Sequence, residues 1–336
     1  MPYNIKNLEK TIEKLKIAVI GDFCLDQLWH MDSEFDKKHD YNSDVSFALT
    51  NIEYSPGGAG NVANNFVKLG ASVKCIGIVG DDGTGYQLIK CLKVIGADIE
   101  NIIQTSKKET HTCIRSIRIS ENQESALNEI ITQKFLDTDR ETEIKIINAI
   151  GNIIDEVDAI VLVEQFDDDN KGVFTDNVKR AISSLAKLRR DKVFLVDSRK
   201  NIDKYENMYL KCNRSEFAGI LIKDNIGEIE EMMEYNFKNS LALFITQGEN
   251  GTIVIDDKRH MHNVPAVEVN QEINTCGAGD AATSGIVIGL CSGYDIKEAA
   301  MLGNVVASIA IKNLKSTGYA TYEKLAEALE YNKLTV

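Results

Sequence analysis

Six short apolar runs punctuate the chain: "KIAVIGD" (16–22), "VKCIGIVGDD" (73–82), "AIVLVEQ" (159–165), "KVFLVDS" (192–198), "LALFITQG" (241–248) and "GTIVIDD" (251–257). Each is brief and rich in branched residues, which predicts strands buried on both faces. Helical spacing fills several of the gaps. Ile144, Ile147, Ile150 and Ile154 recur every three or four residues, as do Val178, Ile182, Leu185 and Leu188, and a further apolar helix is predicted at about 298–314. Strands alternating with helices predict an α/β fold with a parallel sheet covered on both faces, and such sheets gather ligands at the carboxyl ends of their strands.

Two segments break that rhythm. "SDVSFALTNIEYS" (43–55) and "THTCIRSIRIS" (110–120) alternate polar and apolar residues, the mark of strands with one wet face. They predict a small sheet projecting from the main body as a lid. No repeat or low-complexity tract interrupts the chain, and with only 3 prolines nothing marks a linker, so a single unit over 1–336 is expected.

Charge and composition change the picture only by exclusion. With 38 basic against 51 acidic residues, a formal charge of −13 and no basic cluster, a nucleic-acid surface is not expected and a small-molecule site is. No stretch approaches the roughly 18 apolar residues of a membrane span, and the first residues lack the apolar core of a signal peptide. A cytoplasmic location is expected. The 7 cysteines include no C-x-x-C pair and predict reduced, mostly core residues.

The chemistry concentrates in "INTCGAGDAATSG" (273–285), where Gly277, Gly279 and Asp280 precede a run of small apolar residues. Glycines at such a turn let the backbone approach a ligand, and the first N–H groups of a helix carry positive partial charge, so the turn suits an anion. A carboxylate beside an anion is unfavourable unless it acts, for example as the base that takes a proton from an attacking hydroxyl. The other reading of Asp280 is a helix N-cap.

A second glycine cluster, "SPGGAGNVANNFVKLGASV" (55–73), together with "NTCGAGD" resembles the paired signatures of the ribokinase-like (PfkB) carbohydrate kinase family. Further similar motifs follow in order: "GDFCLD" (21–26), "GIVGDDGTG" (77–85), "CNRSE" (212–216), "TQGENG" (246–251) and "GNVVASIAI" (303–311). Within the family the layout is most similar to the heptose-7-phosphate kinase branch, through "GDFCLD", "GGAGNVANN", "VDSRK", "CNRSEF" and "STGYATYEKL". The resemblance implies a ribokinase-like fold, ATP and magnesium, and a sugar or sugar-phosphate acceptor; the projecting sheet, whose apolar face must be covered by ligand, the body or a second subunit, leads to the expectation of a homodimer formed through the lids.

Residue by residue, the resemblance implies that Asp280 is the general base on the acceptor hydroxyl, while the backbone of Gly277, Ala278 and Gly279 holds the transferring phosphoryl. Asn213 and Glu216 would organise magnesium and its waters, Glu216 through water, unless they only cap a helix. Thr246 and Gly248 would meet the nucleotide phosphates, and Asn304 would lie beside the adenine unless it only packs. Asp26 would bind two sugar hydroxyls, with Gly57, Gly58 and Asn61 on the opposite wall. Asn64 and Asn65 share one helix, so at most one of them is expected to point inward.

Departures from the family pattern touch the substrate. Asn274 stands where relatives carry an Asp that helps hold a monovalent cation, which leaves dependence on such a cation open. The segment 30–54 lacks the proline-rich stretch typical of heptose-phosphate kinases, and "EQFDDDNKGVFT" (164–175) inserts acidic residues. The nucleotidyl-transfer half fused to many heptose kinases does not follow residue 336, so kinase activity alone is expected. Ribose, fructose and nucleosides remain alternative acceptors, and a sugar- or nucleotide-responsive regulator without turnover is the alternative class. For "HMH" (260–262) a surface role is expected over a metal site, and Cys276 is given no catalytic role.

Overall fold

A computed structural model describes every residue except 1–2, 40–44, 121–122, 133–136, 167–169, 224–238, 315–316 and 336. In chain order the strands of the first half are β1 (Lys16–Gly21), β2 (Phe23–Asp32), β3 (Lys37–Lys38), β4 (Val45–Ser46), β5 (Leu49–Gly58), β6 (Ser72–Gly80), β7 (Asp98–Thr105) and β8 (Thr112–Ser120). The second half adds β9 (Gln123–Ala126), β10 (Ile130–Ile131), β11 (Ala159–Glu164), β12 (Val193–Ser198), β13 (Tyr209–Asn213), β14 (Ala242–Thr246), β15 (Thr252–Asp256) and β16 (Met261–Val264). The helices are α1 (Ile5–Ile12), α2 (Ala59–Leu69), α3 (Gly83–Ile95), α4 (Arg140–Ile153), α5 (Asp176–Leu188), α6 (Arg214–Lys223), α7 (Ala278–Cys291), α8 (Ile296–Ala310) and α9 (Tyr322–Tyr331).

Nine strands form the main sheet in the order β16-β15-β14-β13-β12-β11-β1-β6-β7. Pairing is parallel from β7 to β14 and antiparallel from β14 to β16. All six apolar runs are strands of this sheet. Burial on both faces explains why they lack alternation: every residue of β11 is buried, and successive residues of β1 enter opposite cores, Ile17 and Val19 one, Ala18 and Ile20 the other. The first core holds residues of α1, α2, α3, α7, α8 and α9; the second holds those of α4, α5 and α6. This is the ribokinase-like architecture, a large mostly parallel sheet flanked by helices.

The small sheet contains the 110–120 segment, the β5 part of the 43–55 segment and three strands that the pattern did not reveal, β2, β9 and β10, while β4 pairs with β3 in a separate two-stranded sheet. The order in the small sheet is β10-β8-β2-β5, with β9 paired to β8. Segment 110–120 supplies β8; segment 43–55 supplies β4 and most of β5, its first two residues lying outside the described residues. The central strand is β2, parallel to β8 and antiparallel to β5. A single residue, Asp22, separates β2 from β1 of the main sheet. β7, β13 and β16 also went unanticipated: β7 is only half-buried, and the charged Lys211 interrupts β13.

Helix α7 sets the position of the candidate anion turn, and small residues set the position of α7. A Cβ on Gly285 would lie 2.7 Å from the Gly303 Cα of α8, and one on Gly289 would lie 2.7 Å from the Ala299 Cα. No rotamer relieves a clash with backbone. Gly285→Leu is therefore expected to lower the unfolding free energy by about 2 kcal/mol or more, seen as a lower urea midpoint at unchanged slope. An unchanged midpoint would show that the two helices have room to part.

Candidate active site

Gly277 adopts φ +82° at the N-cap of α7, and no side chain caps that helix. A Cβ at this position would press to 2.6 Å from Thr317 Cγ2. Gly277 thus offers no cap to the first turn, as an anion site requires, although Ala278 N already donates to Thr275 O at 3.1 Å. Asp280 follows as the third residue of the helix. It is not the N-cap, so the capping alternative falls away. Loss of water raises the pKa of its half-buried carboxyl to about 7; Asp197 pushes the same way, while Lys211 and the Asn61 amide oppose.

A cavity of about 560 Å³ opens over this turn, and Asp280, Gly277, Asp26, Gly58 and Asn61 all line it. Asp26 projects from β2, is buried, and accepts from Cys24 Sγ at 3.5 Å. Burial raises its pKa while Arg115 and Asn61 pull it down. Asn61, on α2, thus favours the ionised form of both carboxylates. Gly57 acts by leaving room, since a Cβ there would run into the Asp26 carboxylate and stand 2.6 Å from Cys24 Sγ. Gly58 adopts φ +56° at the start of α2, a left-handed value that favours glycine. Ala278 and Gly279 form the first turn of α7, both half-buried. Neither Asn64 nor Asn65 lines the cavity: Asn65 donates to Asn61 O at 3.0 Å and accepts from Ala320 N at 3.3 Å, tying α2 to the end of the chain.

The expected nucleotide residues stand at the ends of β13 and β14 and on α8. Asn213 and Glu216 bond one another's backbone reciprocally, Asn213 N to Glu216 Oε2 at 2.7 Å and Glu216 N to Asn213 Oδ1 at 2.9 Å, which caps α6. Burial raises the Glu216 pKa, and Asp197 adds to it. Thr246 ends β14, its hydroxyl 3.4 Å from Cys212 O. Gly248 has φ +59° with open space beside it. Asn304 is tied into the protein: it accepts from Thr252 Oγ1 at 2.7 Å and donates to Pro265 O at 2.9 Å, joining α8 to the β15–β16 edge.

Among the described residues no group of three or more His, Cys, Asp or Glu could hold a metal ion. In "HMH" both histidines turn to Asp256, each at 3.2 Å, forming a surface network. Asn274 Oδ1 accepts from Cys276 N at 3.0 Å inside the anion turn. The inserted acids 167–169 lie outside the described residues.

Sequence reasoning missed Asp22, Arg115, Arg199 and Lys200, all of which line the cavity. Arg115 donates to Cys276 Sγ and to Thr317 Oγ1, each at 3.1 Å, and so fastens β8 of the small sheet to the anion turn. Its only signal was an arginine among the polar positions of "CIRSIRIS". Asp22 accepts the N–H groups of Gln165 and Val173 at 3.0 Å and Phe166 at 3.4 Å, and burial raises its pKa to about 7. Arg199 and Lys200 follow β12, at the carboxyl edge where ligands collect.

A family model for pfkB family carbohydrate kinases matches residues 14–320. The chain is 28% identical over 316 residues to the Bifunctional protein HldE of Sulfurimonas denitrificans, covering 90% of this chain and 61% of that protein. It is 28% identical over 332 residues to the Bifunctional protein HldE of Campylobacter curvus, covering 94% and 65% respectively. The chain thus spans somewhat over three-fifths of the length of these relatives. Among solved structures, phosphofructokinase-2 of Escherichia coli in complex with potassium aligns with a TM-score of 0.68 at 15% identity, over 95% of this chain and 99% of that one. Ribokinase of Arabidopsis thaliana complexed with ribose and ATP aligns at 0.65 and 13% identity, over 94% and 98%. At these identities the likeness is one of fold. No helix among the described residues is long and apolar enough to cross a membrane.

The raised pKa of Asp280 carries a stability consequence. Its folded value of about 7 lies above that of an unfolded aspartate, near 3.9. Between about pH 4 and 7 the folded state holds a proton that the unfolded chain releases, so stability falls as pH rises through that window. Asn cannot suffer this loss, and Asp22 titrates alike in both proteins. The melting temperature of Asp280→Asn relative to wild type is expected to rise by at least about 2 °C from pH 5 to pH 8. A constant difference across that range would show that the carboxyl ionises freely.

Proposed function

The chain belongs to the pfkB family of carbohydrate kinases, and on that premise we propose that it moves the γ-phosphoryl of ATP to a hydroxyl of a phosphorylated sugar resembling heptose 7-phosphate. The single observation that carries the reading is that Asp280 and Asp26 line one cavity, with Asn61 between the two in the wall and the Gly277 turn beside them. Asp26 binds the sugar hydroxyls with Asn61, and Gly57 and Gly58 keep that wall low. Asp280 takes the proton as the acceptor oxygen attacks phosphorus, and the bond from phosphorus to the bridging oxygen of ADP breaks. A base pKa close to neutral suits this step. The N–H groups of Gly277, Ala278 and Gly279 hold the phosphoryl oxygens as charge shifts among them.

Three observations favour an anionic acceptor of this kind over ribose, fructose or a nucleoside. Arg115, Arg199 and Lys200 stand around the cavity; the relatives at 28% identity carry the HldE name; and the motif layout points the same way. Thr246 and Gly248 are assigned to the nucleotide phosphates, and Asn304 to the wall beside the base. Magnesium fits the donors present. With no cluster of three ligands among the described residues, the ion would be held chiefly by phosphates and water, with Glu216 and Asn213 keeping oxygen atoms near it. Bound there, it supplies neutralisation of phosphate charge. Asn274 gives a monovalent cation no carboxylate at its position.

The whole of 1–336 is read as one kinase unit, working in the cytoplasm, with the small sheet as lid. Leu49, Tyr54, Ile130 and Ile131 leave apolar surface on that sheet, and Phe35 and Phe47, each 59% exposed, add to it from the segments beside β5. Burial against a second copy would cover it, so a homodimer through the lids is proposed.

ADP release coupled to a panel of sugars and sugar phosphates tests the reading, with heptose 7-phosphate expected to be turned over; binding without ADP release by any candidate would sink it. Asp280→Asn is expected to lose about 10² to 10⁴ in kcat while keeping magnesium-ATP binding. Asp26→Ala should weaken acceptor binding by about 10- to 100-fold, the value of charge-assisted hydrogen bonds; an unchanged calorimetric Kd would remove Asp26 from the site. For the assembly, light scattering at micromolar concentration with acceptor present should give the dimer mass, and a monomer mass refutes the lid contact.

A further inference from the structure

Beneath the anion turn lies a group of charges that the transfer step above does not use. Lys211, on β13 between Leu210 and Cys212, is buried, and its Nζ lies 2.7 Å from Asp197 Oδ2 at the end of β12. The same oxygen accepts from Thr283 Oγ1 at 2.8 Å, in the first turn of α7 past Asp280. The ammonium also abuts the turn itself, since a Cβ built on Gly279 would stand 3.1 Å from Nζ. A buried ammonium needs a charged partner, yet this one has more than one partner requires. Besides Asp197, both Glu216 and Asp280 attract it, and together they outweigh burial and hold it charged.

We propose that Lys211 is a positioning residue for phosphoryl transfer: fixed by Asp197 beneath Gly279, its ammonium places a full positive charge behind the anion turn that leads into Asp280. The inference rests on the reading of Asp280 as the base. Thr283 makes the arrangement rigid, because it joins Asp197 to the helix that carries Asp280. Gly279 is needed for the contact, because any side chain there would meet the ammonium.

The groups around Asp280 divide by sign. Lys211 from β13 and the Asn61 amide from α2 favour the carboxylate; Asp197 from β12 and Asp26 from β2 disfavour it. Cys24, also on β2, is a thiol held neutral by burial. Asp197 and Lys211 therefore act on the base in opposite directions although they form one ion pair.

Isotope-edited NMR of the aspartate carboxyl groups in the full, ligand-free chain measures this directly, with Asp280 assigned by its disappearance in Asp280→Asn. In Lys211→Met the Asp280 titration midpoint is expected to rise by about one pH unit or more, and in Asp197→Asn to fall, with the double variant near wild type. The acid limb of kcat should follow in the same directions. Midpoints that move together, or do not move, overturn the proposal. Should Lys211→Met fail to fold, the double variant leaves no buried charge unpaired and decides instead: return of the midpoint from its Asp197→Asn value supports the role of the lysine, and retention of that value refutes it. Because the titration needs no turnover, an active Asp280→Asn would refute the base itself and leave the lysine result standing.

Discussion

The close seating of α7 against α8 is the constraint on which the site depends. An anion turn works only if its N–H groups are aimed and cannot retreat, and a helix packed through ordinary side chains can slide by a fraction of its pitch. Here the contact is nearly backbone on backbone, at Gly285 with Gly303 and at Gly289 with Ala299. Contact at that range leaves α7 little travel along or about its axis. The run of small residues after "CGAGD" is thus a packing surface, and the precision of the turn ahead of it follows from that surface.

Charge in this protein is gathered where water is scarce. Asp22, Asp26 and Asp280 all ionise less readily than free aspartates, each mainly because burial removes water. Different partners then set their tasks. Asp22 is bonded by three backbone N–H groups and organises chain. Asp26 has an arginine and an amide beside it and is suited to hydroxyl groups. Asp280 has the same amide on one side and a lysine–aspartate pair on the other, which leaves it near neutrality. One residue type meets three different electrostatic settings through its surroundings alone.

Much of the main sheet was legible because burial on both faces writes itself as continuous apolar runs, as at β1 and β11. Strands at the margins do not write themselves that way: β7 is half-buried and β16 largely exposed, so each mixes polar and apolar residues. The central strand of the small sheet escaped for another reason. "FCLDQLWHMD" leads from core into cavity wall, and its apolar residues follow no single period. The glycine turns and the carboxylates Asp26 and Asp280 were visible because few residue types can do their work, whereas Asp22 was not singled out. Arg115 and Lys211 were invisible, since nothing local separates an arginine on a strand face, or a lysine inside a strand, from a solvated one. Their partners lie 161 and 14 residues away, and only the folded chain brings them together. Asn213 and Glu216 were found as a pair, but spacing alone could not show that each spends an oxygen on the cap.

Asp22 alone separates the core strand β1 from β2, and its carboxylate is sewn to the 165–173 chain by three bonds. The small sheet is in consequence a cantilever, clamped at one end rather than pinned on a joint. Burial falls along β2 from complete over Phe23–Asp26 to partial from Gln27 onward, so compliance grows with distance from the clamp. A load applied at the tip bends the far end first and reaches Asp26 last. Asp26 rides on the stiff root of the beam, where β2 is still buried.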